Sequence, residues 1–345
     1  MPDFGKRFAI PILILALFLV SLVFLGTGAV QIPLKTTIKI LFSQLPGTQE
    51  GFSDVPPTFR EIIWFIRLPR LVLAMVVGVC LAVAGTIFQG LFRNPMADPY
   101  VIGASSGAAL GATASMVLAV SWTWMGLGSV PLAAFLGALV TVIVVYNLAR
   151  VGNVIPVQNL LLAGIAVSAF LSSLVSLLMY FSDDRLHAVV YWLMGGLSGR
   201  SWDYVMWSLP YLVVGVGLAI YCARDLNVML LGEEAAEHLG VEVETSKRIL
   251  LVAASVLTAI AVAASGIIGF VGLIVPHVVR ILIGPDHWKL IPAAGVAGAI
   301  LVVLADLAAR TLLAPVEIPL GVVTSLFGAP FFIYLLRRHR RTYFS

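Results

Sequence analysis

Apolar residues along this chain come in long runs, and the basic residues gather at the ends of those runs. A helix that crosses a bilayer needs roughly 20 mostly apolar residues. Runs that approach this length fall at 8–28, 70–88, 100–120, 130–149, 159–181, 205–222, 249–266, 270–283, 291–309 and 320–336. The division within 249–284 is the least obvious, because hydropathy alone could merge it into one helix. Gly266, Gly269 and Gly272 interrupt that run, and Pro276, His277 and Arg280 follow. The pattern predicts a helix, a glycine-rich reversal and a shorter helix running back. The chain is therefore expected to be an all-α integral membrane protein of about ten transmembrane helices.

Composition removes the soluble alternative. The chain is 60% hydrophobic and 11% charged, whereas soluble domains carry about 25% charged residues. A core of this size could not hide that much apolar surface from water, and a bilayer removes the conflict. The net charge of +4 is no nucleic-acid signal, since there is no Lys/Arg stripe and no interleaved aromatic platform. Cys80 and Cys222 sit in or beside apolar runs, without the CxxC or Cys/His spacing of a metal site. They read as small buried hydrophobes. The run after Lys6 and Arg7 is longer than a signal-peptide core. Gly26, Thr27, Gly28 and Ala29 weakly resemble a cleavage site, but the spans that follow favour a retained first helix.

Basic residues orient the spans, because they accumulate on the cytoplasmic side. With ten spans and the N-terminus inside, thirteen of the 21 Lys and Arg residues fall inside and eight outside. The strongest cue is the run of Arg337, Arg338, His339, Arg340 and Arg341, which predicts a basic cytoplasmic tail at 337–345. Both termini are then cytoplasmic, in one transmembrane domain covering 1–345. Two connections are long. Residues 29–61, with Pro33, Pro46, Pro56 and Pro57, are expected to form an outer loop. Residues 223–248 carry Asp225, Glu233, Glu234, Glu237, Glu242, Glu244, Lys247 and Arg248 and are too polar to span. Within them 232–240 looks like a short helix closed by a glycine, lying exposed at the cytoplasmic surface.

Candidate chemistry is sparse. None of the lysines (Lys6, Lys35, Lys39, Lys247 and Lys289) stands in the G-x-x-x-x-G-K-[ST] context of a phosphate loop. The chain is therefore not an ATPase, and if ATP drives it another chain must bind the nucleotide. The spans lack the carboxylate and histidine chains of a proton relay. Asp306 is the most embedded acid, and Arg310, four residues on, is expected to pair with it. An ion-coupled secondary transporter would place such a carboxylate at a midplane site. His277 reads as a packing and hydrogen-bonding residue. Gly103, Gly107 and Gly111 recur every four residues among other small side chains. Close helix contact in lipid accounts for that spacing, and a helix that moves or lines a pathway would also use it.

Read in order, several blocks carry a family resemblance. They are Arg67-Leu68-Pro69-Arg70, GTIFQGLFRNPMADP at 85–99, GASSGA at 103–108, YWLMGG at 191–196 and LGEEAAEHLG at 231–240. GFVGLIVPHVVR at 269–280, ADLAAR at 305–310, EIPLGVVT at 317–324 and GAPF at 328–331 follow. The ordered set resembles the permease subunits of iron-siderophore, haem and vitamin B12 ABC importers, the type II importer transmembrane subunit. It runs from about residue 60 to 336, leaving out the first outer loop and the extreme tail.

The resemblance implies a multi-pass protein of the cytoplasmic (inner) membrane. It implies partnership with a second copy of the chain, two ATPase subunits and a periplasmic or lipid-anchored substrate-binding protein, with no nucleic acid. No cofactor is expected on this chain, and ATP and Mg belong to the ATPases. Gly232, Glu233, Ala235, Leu239 and Gly240 would contact the ATPase and couple it to the spans. Arg67, Arg70 and Arg310 would dock glutamates of the binding protein, for which the planar guanidinium fork suits a carboxylate. The path is expected to run past Gly103, Gly107, Met194, Gly195, Gly196 and Gly269, and no metal ligand is expected.

Overall fold

The computed structural model describes residues 8–28, 30–43, 55–182 and 184–343. Lys6, Arg7 and residues 344–345 lie outside the described residues, as do the side chains of Arg338, His339, Arg340 and Arg341. The chain is helical almost throughout. Its helices are α1 (Ala9–Gly26), α2 (Leu34–Phe42), α3 (Pro57–Leu91), α4 (Ala104–Val117), α5 (Ser129–Ala149), α6 (Val157–Tyr180) and α7 (Leu186–Leu193). They continue as α8 (Trp202–Tyr221), α9 (Ala223–Met229), α10 (Glu233–His238), α11 (Val243–Ser265), α12 (Val271–Ile283), α13 (His287–Thr311) and α14 (Leu320–Tyr343). A small antiparallel hairpin, Thr123–Trp124 with Leu127–Gly128, joins α4 to α5.

Each of the ten apolar runs carries a helix. Among the described residues seven are long and apolar enough to cross a membrane: α1, α3, α5, α6, α8, α11 and α13. The other three, α4, α12 and the apolar part of α14, are shorter. At 1.5 Å per residue the 14 residues of α4 reach about 21 Å, less than a hydrocarbon core of about 30 Å. Irregular backbone at that depth is tolerated only where protein covers it. Here the 3₁₀ turn Pro99–Ile102 leads into α4, and the non-helical stretch 266–269 precedes α12, inside the protein. The reversal expected between 249 and 284 is this stretch, with Gly266 at φ +70°.

The centre of the bundle is α3. In its most apolar stretch 83% of residues are buried, against 78% for α11, 61% for α13, 17% for α6 and 11% for α1. Glycines bring the central backbones into contact. A Cβ on Gly78 would lie 2.3 Å from the carbonyl oxygen of Gly298 in α13, and one on Gly85 1.8 Å from that of Gly272 in α12. Packing of this closeness replaces the hydrophobic drive that lipid does not provide.

The expected outer loop at 29–61 is largely helical where it is described. Helix α2 buries Thr37 and Ile40 against Ile32, Val55 and Ile63 while Lys35 and Lys39 stay exposed. That one-sided spacing makes an amphipathic helix from a polar sequence. Residues 57–61 are already the first turns of α3. Between them and Pro69 lies a π-helical segment, Ile62–Arg67, closed by an Ile63 carbonyl to Leu68 N–H bond. Proline cannot continue the normal ladder, and the wider turn accommodates it.

Candidate functional site

The two ends of the bundle carry different chemistry. At one end the chain between α13 and α14 meets α3 at Arg70, just past the π-helical segment. Arg70 holds Asp306 through Nε–Oδ2 at 2.8 Å and Nη2–Oδ1 at 2.9 Å. The same guanidinium reaches Glu317 at 3.0 and 3.1 Å. Asp306 is fully buried, so the pair expected from helix spacing, Asp306 with Arg310, is corrected: the close α3–α13 packing brings Arg70 across to the carboxylate first. Arg310 instead lies 3.9 Å over the ring of Phe24 and donates to the Phe24 carbonyl. Arg67 is 4% exposed and donates to the carbonyls of Leu25 and Val30, fastening the end of α1.

Glu317 also accepts from the Ser198 hydroxyl. Partial burial pushes the Glu317 carboxyl up, but the hydrogen bonds from Arg70 and Ser198 and the nearby arginine charges win and hold it below its ordinary value. The cluster sets three guanidiniums (Arg67, Arg70, Arg310) against two carboxylates (Asp306, Glu317), leaving the cluster itself with one surplus positive charge.

Beside the cluster, three chain reversals interlock. Gly196 N–H donates to the Ser265 carbonyl at 2.7 Å, Leu320 N–H to Gly195 at 2.9 Å and Gly321 N–H to Met194 at 3.0 Å. These bonds satisfy backbone groups of the turn after α7, of the last residue of α11 and of the first residues of α14. Gly195, at φ +72°, adopts a backbone that L side chains rarely take, and a Cβ there would lie 2.4 Å from the Ile267 carbonyl oxygen. A cavity of about 480 Å³ opens on this knot, lined by Leu193, Met194, Ile267, Gly269, Gly321 and their neighbours. The structure thus brings Met194, Gly195 and Gly196 together with Gly269. Gly103 and Gly107 are elsewhere: Gly107 packs α4 on Gly137 and Thr141 of α5, and Gly103 faces Thr141 and Ser168. The surfaces that line the cavity are mostly apolar, with Ser325 among the lining residues. Among the described residues no group of His, Cys, Asp or Glu could hold a metal ion.

At the opposite end, α9, α10 and the turns around them form a polar cap. The predicted short helix at 232–240 is α10, entered through Gly232 at φ +120° and left through Gly240 at φ +82°. Both leave the right-handed helical region, which ends the helix on each side. Ala236 is the residue α10 buries, while Leu231 and Leu239 are 71% and 59% exposed. Glu233 is bonded to Lys247 of α11 at 2.7 Å, and Lys247 is 2% exposed. Glu244 takes the same ammonium at 3.0 Å and accepts from Ile155 N–H with its other oxygen at 3.1 Å. The sequence places Lys247 among the charged residues of the polar 223–248 connection and gives it no partner. The signal available was a lysine three residues after Glu244, at the foot of an apolar run. Asn227, Asp286 and His287 knit α9 to α13 in the same way.

Comparison with known proteins places this architecture. A family model described as the FecCD transport family matches residues 13–338. The chain is 41% identical to the uncharacterized ABC transporter permease protein YvrB of Bacillus subtilis, over 97% of this chain and 96% of that one. It is 48% identical to the cobalamin import system permease protein BtuC of Halobacterium salinarum, over 82% and 75% of the two chains. It is 45% identical to the hemin transport system permease protein HmuU of Yersinia pestis, over 81% and 84%. A solved structure described as an inward-facing conformation of a metal-chelate type ABC transporter superposes with a TM-score of 0.82. That match has 30% identity and covers 95% of this chain and 98% of that chain.

Proposed function

The chain belongs to the FecCD transport family, and we propose that it is the membrane-spanning permease of an ATP-driven importer for an iron chelate, haem or cobalamin in the cytoplasmic membrane. It is a multi-pass transport permease, and its sequence contains no phosphate loop. In this reading two copies enclose the pathway and two ATPase subunits bind ATP and Mg at the cytoplasmic end. A periplasmic or lipid-anchored binding protein delivers the cargo at the other. Both termini are cytoplasmic, and residues 223–248 are the coupling segment.

The observation that carries the reading is α10. It is a polar helix of six residues, held between two spanning helices and flanked by the exposed apolar side chains of Leu231 and Leu239. In this reading the ATPase covers these two leucines when it docks. The coupling contacts are then Gly232, Ala235, Leu239 and Gly240 directly, with Glu233 setting the angle of the helix. Docking at the other end draws on the surplus charge of Arg67, Arg70 and Arg310. Arg310 is the least committed of them, because it donates to the Phe24 carbonyl alone while Arg67 holds two carbonyls and Arg70 two carboxylates. Delivered cargo would pass the apolar knot of Met194, Gly195, Gly196 and Gly269. A smooth apolar wall moves a large chelate without trapping it. ATP binding and hydrolysis below would then tilt the spans and alternate access.

The test is ATP hydrolysis and uptake in liposomes that contain the chain with its ATPase and binding protein. Ferric siderophore, haem and cobalamin would be supplied in turn. Stimulation by one cargo supports the reading and names the cargo. Transport by the chain alone along a proton or sodium gradient would overturn it.

A further inference from the structure

Lysines at the polar end of a spanning helix normally extend toward water and leave only their stems against apolar surface. Lys247 does the reverse. It lies at the start of α11 and is 2% exposed, with its ammonium enclosed by Glu233 Oε2 at 2.7 Å and Glu244 Oε1 at 3.0 Å. Its two partners belong to different parts of the cap. Glu233 is the first residue of α10. Glu244 belongs to α11 and binds the Ile155 N–H of the turn joining α5 to α6. Next to it Arg248 donates to the Asn153 carbonyl at 3.0 Å, and Ser246 donates to Asp225 of α9 at 2.6 Å.

The geometry of α10 makes this bond consequential. A helix of six residues cannot hold itself together in water, and glycines in unusual backbone conformations flank it on both sides. Its fastenings are the buried Ala236 and the Glu233–Lys247 bond. An alanine methyl fixes position but not angle. A charged bond to a lysine buried in the next span fixes both.

We propose that Lys247 is the positioning residue of the coupling segment. It locks α10 to α11 and, through Glu244, to the 150–156 turn, so that a push on α10 is carried into α5, α6 and α11 together. This inference rests on the functional reading above, in which α10 meets an ATPase. It adds a residue and a route that reading does not contain: one ammonium makes two loops, far apart in sequence, into a single rigid unit.

The experiment uses the full-length chain with spin labels at Glu237→Cys on α10, outside the coupling contacts, and at Val154→Cys, both exposed positions. Cys80 and Cys222 are buried. The distance distribution between the labels is recorded in detergent for the parent, Lys247→Arg and Lys247→Met, together with hydrogen exchange across 232–242. The parent and Lys247→Arg should give one narrow distribution. Lys247→Met should give a broad one, with exchange in 232–242 faster by about tenfold and exchange in the core of α3 unchanged. A global loss of packing would instead speed exchange everywhere, and would reduce Lys247 to a stabilising residue. An unaltered distribution and unaltered exchange in Lys247→Met would overturn the proposal.

A second arm adds the ATPase subunits with ATP and vanadate. Lys247→Met should still bind the ATPase while losing the nucleotide-dependent shift of the labels, and Lys247→Arg should keep it. Equal shifts in parent and Lys247→Met would sink the coupling role. A parent chain that binds no ATPase would sink the functional reading itself, while the first arm still reports whether Lys247 holds α10.

Discussion

Arg70 and Asp306 are 236 residues apart in sequence and meet in a two-point bond of 2.8 and 2.9 Å inside the bundle. The bond fastens α3 to the last turns of α13, eight residues along each helix from the glycine contact of Gly78 with Gly298. Both carboxylate oxygens of Asp306 face Arg70, which leaves the acid occupied as an ion-pair partner. Removing one member of a buried pair leaves the other charge uncompensated, at a cost of about 3–5 kcal/mol. Asp306→Asn and Arg70→Met should therefore each lower the thermal midpoint in detergent sharply. Arg70→Lys keeps the charge but not the fork and should also destabilise, by less. The double variant Arg70→Met with Asp306→Leu should recover most of the loss. Additive losses in the double variant would show that the two residues do not act as a pair.

The Gly85–Gly272 contact gives a prediction about packing alone. A Cβ at Gly85 meets a backbone carbonyl, which cannot rotate away. Gly85→Ala should push α3 from α12 and cost about 1–3 kcal/mol, read as a lower unfolding midpoint and a poorer size-exclusion profile. Gly217→Ala in α8 is the control, since nothing lies within 4 Å of its added methyl and alanine favours helix over glycine. It should be neutral or slightly stabilising.

Glu317 predicts a pH dependence. Its carboxyl is held below the ordinary value of 4.5, because the bonds from Arg70 and Ser198 outweigh the effect of burial. A depressed carboxyl contributes stability that is fully present above its unfolded value and is lost as pH falls through the folded one. Thermal stability should therefore hold level down to the ordinary carboxylate range and decline below it. Glu317→Gln should remove that part of the decline, measured as the difference between the two midpoint-against-pH curves. Parallel curves would mean that other acids carry the whole dependence.

The exposed leucines of the polar cap predict the interface. Leu231→Ala and Leu239→Ala remove apolar side chains that touch little of the chain itself, being 71% and 59% exposed. Neither should change the unfolding midpoint. A central apolar anchor is worth about 2 kcal/mol or more at an interface, so at least one of them should weaken ATPase association by about tenfold or more. Unchanged affinity in both would move the interface away from α10.

The spans were legible in the apolar runs, and for a physical reason. Hydrocarbon satisfies no backbone group, so a long apolar run has to close its own hydrogen bonds as a helix. All ten runs are helices, and Gly266 and Gly269 mark the reversal before α12 as their lack of side chains suggests. The short polar helix closed by Gly240 was legible too, from its own glycines. Helix α2 was hidden because prolines and lysines around it read as loop, although Thr37, Ile40 and Leu41 share one face. The charged partners were not legible. Spacing along one helix pointed Asp306 at Arg310, and nothing local pointed it at Arg70 or pointed Lys247 at Glu233. An ion pair depends on which helices touch and at what height. In this bundle that is decided by where two glycines let backbones meet, a property of the packed chain and not of any one segment.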